Sequence, residues 1–92
     1  MSHTIRGKDK LLNRVRRLGG QVQAIERALE AGVDCNEVMQ LVVSVRGAAN
    51  GLMTELMEDH IRMHVADPSH DRDRNRAKGA EQLIEVLHAY LK

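Results

Sequence analysis

The stretch DCNEVMQLVVSVRGAANGLMTELMEDHIRMHV, residues 34–65, decides the fold. Val38, Val42, Val45, Ala49, Leu52 and Leu56 recur at spacings of 4, 3, 4, 3 and 4. Residues three and four apart lie one above the other on an α-helix, so these six form one apolar stripe. Asp34 stands where an N-cap is needed, and Glu37 follows three residues later, close to the pattern in which the two bond reciprocally. No helix breaker appears until Asp67-Pro68. The spacing predicts one helix over about 34–65, roughly 48 Å long at about 1.5 Å per residue. That is too long for a chain of 92 residues to cover by itself.

Upstream, Leu11, Val15, Leu18, Val22, Ile25 and Leu29 repeat the 4, 3 spacing and predict a first helix over about 5–31. Gly19 and Gly20 interrupt it at about 1 kcal/mol each relative to alanine, which marks either a close helix contact or a tolerated defect. Gly32 suits the position just past the helix end. Downstream, DPSHDRDRNR (67–76) reads as a polar turn or loop, its DRDRNR part as a solvated loop of mixed charge. A third helix is expected over about 76–91, with Ala80, Leu83, Ile84, Leu87 and Leu91 on one face. No strand or repeat pattern is present. The expected fold is all-α, with three helices in a single domain over residues 1–92.

Composition narrows the setting. There is no Trp or Phe and one aromatic residue, Tyr90, so aliphatic side chains and Met must build the interior. Small chains of this kind often complete their core by oligomerising. No window approaches 18 apolar residues, so no membrane-spanning helix is expected. The opening MSHTIRGKDK lacks an apolar segment, and the single cysteine, Cys35, fits a reducing, cytoplasmic setting. The net charge of +1 hides an asymmetry. Residues 1–30 carry Arg6, Lys8, Lys10, Arg14, Arg16, Arg17 and Arg27 against Asp9, Glu26 and Glu30. Residues 31–66 carry Arg46 and Arg62 against Asp34, Glu37, Glu55, Glu58 and Asp59. A basic first third suits an anionic partner, and an acidic middle suits cation chemistry.

His60 and His64 are four apart, so they share a helix face and can hold one metal ion between them. Two ligands make a poor site, and Cys35 at the other end of the same helix lies roughly 37 Å away along its axis. An antiparallel copy of this helix from a second subunit solves the problem. Residue i then faces residue 2c − i, and setting Cys35 opposite position 62 gives a centre of c = 48.5. That centre falls in RGAANG, residues 46–51, where Gly47, Ala48, Ala49 and Gly51 let two helices approach closely. The thiol–imidazole register and the small-residue pattern thus demand the same two-fold axis. They predict an isologous dimer with two sites, each built from Cys35 of one chain and His60 and His64 of the other. His3, and the α-amine of Ser2 exposed once Met1 is removed, are further candidate ligands. His70 and His88 have no partner at ligand spacing and read as non-ligands.

NRVRRLGGQVQAIERALE (13–30), Cys35, VRGAANGLMTELMEDHIRMH (45–64) and AYLK (89–92) together resemble the CsoR/RcnR/FrmR repressors over nearly the whole length. The resemblance implies an all-helical protein without a helix-turn-helix, an antiparallel homodimer and usually a dimer of dimers. It implies binding to operator DNA in the ligand-free state and release on sensing Cu(I), Ni(II)/Co(II) or formaldehyde. The copper branch has a cysteine where this chain has His64, and imidazole in place of thiolate moves a site toward borderline metals. The nickel/cobalt branch looks like His3, Cys35, His60 and His64 with the N-terminal amine, all present here. The formaldehyde branch is similar in the helix 1 text but usually has proline at position 2, where this chain has Ser2. The expected effector is therefore Ni(II) or Co(II), with formaldehyde acting through Cys35 and the N-terminal amine as the alternative.

For the DNA, Lys8, Lys10, Arg14 and Arg17 fall on part of helix 1 with Arg16 beside them, a stripe able to neutralise phosphates and release counterions. Arg46 either joins that face or pairs with an acid. Without a recognition helix, phosphate contacts and groove shape should outweigh base contacts. Two other classes compete. An enzyme using Cys35 as nucleophile lacks a visible oxyanion loop or third group. A helical adaptor explains the apolar stripes but not Cys35, His60 and His64 falling in register.

Overall fold

The computed structural model describes residues 7–91 and contains three helices: α1 (Lys8–Ala31), α2 (Cys35–His64) and α3 (Arg74–Tyr90). The all-α expectation holds. The expected start of helix 1 near residue 5 lies outside the described residues. Among the described residues no helix is long and apolar enough to cross a membrane.

The chain folds as two compact units, residues 7–52 and, among the described residues, 53–91. In the first, α1 turns back into the opening half of α2. Gly32 adopts φ 70°, a left-handed conformation that costs a residue without Cβ nothing. Its N–H donates to the Leu29 carbonyl at 3.2 Å and the Val33 N–H to the Ala28 carbonyl at 3.2 Å, the paired bonds of a Schellman ending. Asp34 then caps α2, its Oδ1 accepting from the Glu37 N–H at 2.9 Å. The apolar stripes divide between two faces. On α1 the covered positions are Leu11, Leu12, Arg14, Leu18, Gln21, Ala24, Ile25 and Ala28. Val15, Val22 and Leu29, from the same predicted seam, remain 47%, 50% and 63% exposed. On α2, Val38, Leu41, Val45 and Ala48 are partly covered while Met39, Val42 and Val43 stand open.

In the second unit the closing turns of α2 meet α3 around Ile61, Ala66, Ala80 and Ile84, with Leu87 packed against them. Residues 67–73 form the expected polar turn and loop, and side-chain hydrogen bonds organise it, while 74–76 belong to α3. Asp67 Oδ1 accepts from the Ser69 N–H at 3.0 Å and the Ser69 hydroxyl at 2.6 Å, and its Oδ2 lies 3.1 Å from His70 Nδ1. Asp71 takes the Arg76 guanidinium in a two-pronged pair. Helix 3 begins at Arg74, two residues before the expected start, because Asp73 Oδ1 accepts from the N–H groups of Asn75 at 3.0 Å and Arg76 at 3.1 Å. The apolar period does not mark this start, since Arg74, Asn75 and Arg76 are all polar.

Candidate metal centre and nucleic-acid interface

His60 and His64 occupy the last two turns of α2, both exposed. Their ring centroids lie 4.9 Å apart with planes at 40°. The i, i+4 spacing thus delivers two imidazoles side by side, as one ion would need. Cys35 is the first residue of α2, exposed and not in a disulfide. Among the described residues of one chain, no three His, Cys, Asp or Glu side chains come together as a metal cluster. His3 and Ser2 lie outside the described residues. Imidazole and thiolate are donor types suited to a borderline divalent metal.

The turn carrying the histidines is tied into its unit by charge. Glu58 Oε1 lies 2.6 Å from Nε2 of His88 on α3, and Glu58 Oε2 accepts from Arg62 Nε at 3.1 Å. Arg62 Nη1 continues to Asp67 Oδ1 at 3.3 Å. The His88 bond, aided by Arg62, holds the Glu58 carboxyl below its ordinary range against the opposing effect of burial. Burial works against the Arg62 cation, but the bonds to Glu58 and the charge of Asp67 outweigh it and raise the guanidinium's pKa. His88 and His70, expected as non-ligands, each have a carboxylate partner, Glu58 and Asp67. The Glu58–Arg62 pair was legible as an i, i+4 pattern. The Glu58–His88 bond, spanning 30 positions, was not.

On α1 the basic residues do not form one equivalent row. Lys8, Lys10, Arg16 and Arg17 are exposed, as is Arg46 on α2, whereas Arg14 is partly covered. Arg14, Arg17 and Gln21 line one side of an open cleft of about 370 Å³, and Ser44, Gly47 and Ala48 of α2 line the other. Gln21 Oε1 is buried there with no hydrogen-bond partner among the described residues. Gly19 and Gly20 mark no close helix contact within the chain, since a Cβ at either meets no described atom within 4 Å.

A family model described as metal-sensitive transcriptional repressor matches residues 7–89. The chain belongs to that family. The metal-sensitive repressor match extends to full-length relatives. The transcriptional repressor RcnR of Citrobacter koseri is 38% identical over 92 residues, covering 100% of both chains. The uncharacterized protein in the bioA 5′ region of Serratia marcescens is 49% identical over the same length. Among solved structures, a variant of the formaldehyde-responsive regulator FrmR from Salmonella enterica serovar Typhimurium is 42% identical with a TM-score of 0.66, covering 97% of this chain and 99% of that one. Metal-sensitive repressors of this family are regulators and not enzymes, which removes the Cys35-nucleophile alternative.

Proposed function

We propose that this metal-sensitive repressor binds operator DNA when metal-free and releases it on binding Ni(II) or Co(II), derepressing metal efflux in the cytoplasm. The whole chain acts as one DNA-binding and sensing domain, working as a homodimer that pairs into a homotetramer. The observation that carries the reading is the His60–His64 ring pair, 4.9 Å between centroids, on the exposed end of α2. Cys35 of the partner subunit completes the site, with His3 and the Ser2 amine as additional donors. The exposed Val15, Val22 and Leu29 of α1 and Val42 of α2 support a second copy, because apolar side chains this exposed gain from burial. Lys8, Lys10, Arg14, Arg16, Arg17 and Arg46 contact DNA phosphates. Metal binding draws the N-terminal arm toward the site and so shifts basic α1, coupling metal to DNA affinity. The thiol and amine must lose protons to ligate, so metal affinity falls on acidification.

The test is a Co(II) titration of the reduced, metal-free protein followed by absorption, with Cys35→Ala and His64→Ala alongside. The expected result is a near-ultraviolet thiolate-to-metal charge-transfer band that saturates at about one metal per subunit and is lost in both variants. Absence of the band with Cys35 still titratable by thiol reagent sinks the metal reading. Formaldehyde, acting through Cys35 and the N-terminal amine, is then the effector to test for DNA release. The likeness to a formaldehyde-responsive regulator favours keeping that second reading.

A further inference from the structure

Arg14 differs from the other basic residues of α1 in where its charge goes. Its Nη1 sits 2.9 Å from the point where a Cβ on Gly51 would be, closer than real Cβ contacts come. A Cβ at Gly19, Gly20, Gly47 or Gly79, the other helical glycines, meets no described atom within 4 Å. Among the described helical glycines, only Gly51 has its missing side chain replaced by another residue, and the occupant is the charged end of an arginine. Glycine inside a helix is unfavourable relative to alanine, so its presence there calls for a reason in packing or function. We infer that Gly51 is a positioning residue for operator binding. By leaving α2 bare, it lets the Arg14 guanidinium lie across the helix, while the Arg14 side chain lines the open cleft with Arg17. Two arginines lining one cleft present the charge that fits a phosphodiester of the DNA backbone.

This inference rests on the assignment of α1 to DNA, and it separates from it cleanly. The atom that a new Cβ would displace is the far end of a flexible side chain, not backbone. Gly51→Ala should therefore keep the helix and redirect the guanidinium. The experiment is fluorescence anisotropy of a labelled promoter duplex that the native metal-free protein binds, using full-length Gly51→Ala, Arg14→Ala and the double variant. Thermal midpoint, oligomeric state and Co(II) stoichiometry are measured on each. Gly51→Ala is expected to weaken DNA binding about tenfold, as the loss of one charge-assisted hydrogen bond would. Its thermal midpoint should hold or rise, and its assembly should not change. Arg14→Ala should weaken binding as much or more, and the double variant should be no weaker than Arg14→Ala, because both remove one interaction. If Arg14→Ala weakens binding while Gly51→Ala does not, the Gly51 inference is overturned and the DNA assignment stands. If the two losses multiply in the double variant, Gly51 acts by another route and the inference also fails. If Arg14→Ala leaves binding unchanged, the assignment of Arg14 to DNA fails and takes the inference with it.

Discussion

At the scale of single residues, the connector between α2 and α3 carries the clearest electrostatic signature. Hydrogen bonds from the Ser69 hydroxyl and amide, with His70 beside them, hold the Asp67 carboxyl well below its ordinary range. Arg76, helped by the Asp73 N–H, lowers the Asp71 carboxyl as well. A depressed carboxyl pKa stabilises the folded form at pH values above the ordinary one, and that contribution disappears as pH falls through the folded value. The connector should therefore hold its stability from neutral pH down to about 4 and lose it below that. A carboxyl-carbon NMR titration should place both midpoints below about 3.9, and Asp67→Asn should flatten the acid limb of the thermal midpoint against pH. Midpoints at or above the ordinary value would show that these bonds do not persist in solution. None of this was visible in DPSHDRDRNR as a string, because alternating charge looks the same whether it is solvated or folded onto its neighbours.

At the scale of elements, most boundaries follow local chemistry. Asp34 with Glu37 and Ala31 with Gly32 are cap signals written within a few residues, and the structure uses both. The start of α3 depends on Asp73, one of several acids in the segment, and only its bonds to Asn75 and Arg76 identify it as the cap. Asp73→Ala should remove about 1 kcal/mol of stability. For a chain of this size that lowers the thermal midpoint by about 4–8 °C when unfolding is two-state. Calorimetry on Asp73→Ala checks this, and an unchanged midpoint would mean that the first turn of α3 contributes nothing to the cooperative unit. The 4, 3 spacing on α1 and α2 was legible, but it does not say which of its residues turn inward. Arg14 and Gln21 take covered positions on α1 while Val15 and Val22 stay open, the reverse of what polarity alone suggests.

At the scale of the whole molecule, open apolar surface outweighs covered apolar surface among the described residues. The buried apolar set is Leu11, Ile61, Ala66, Ala80 and Ile84, while Val22, Val42, Met53 and Met57 are between 38% and 50% exposed. A core this thin rarely sustains a domain of this length alone. Sedimentation at micromolar concentration should show the native protein as a dimer or larger. Val22→Glu combined with Val42→Glu should shift it toward monomer, with a lower and concentration-independent thermal midpoint. A native protein that is monomeric at that concentration would remove the proposed dimer and with it the proposed cross-subunit site.

What the sequence determined by itself are the features set by near neighbours along the chain. Three helices follow from apolar periods, two caps from Asp34 and Gly32, and the His60–His64 face from a spacing of four, because helix geometry converts such spacings into directions without help from the rest of the molecule. Membership of the repressor family rests on the same local text. The packing of separate elements decided the rest: that His88 reaches Glu58 and that Arg14 turns inward over Gly51. Each joins residues through the path of the backbone between them, and a spacing rule for one helix cannot state where a neighbouring helix or turn will place its side chains.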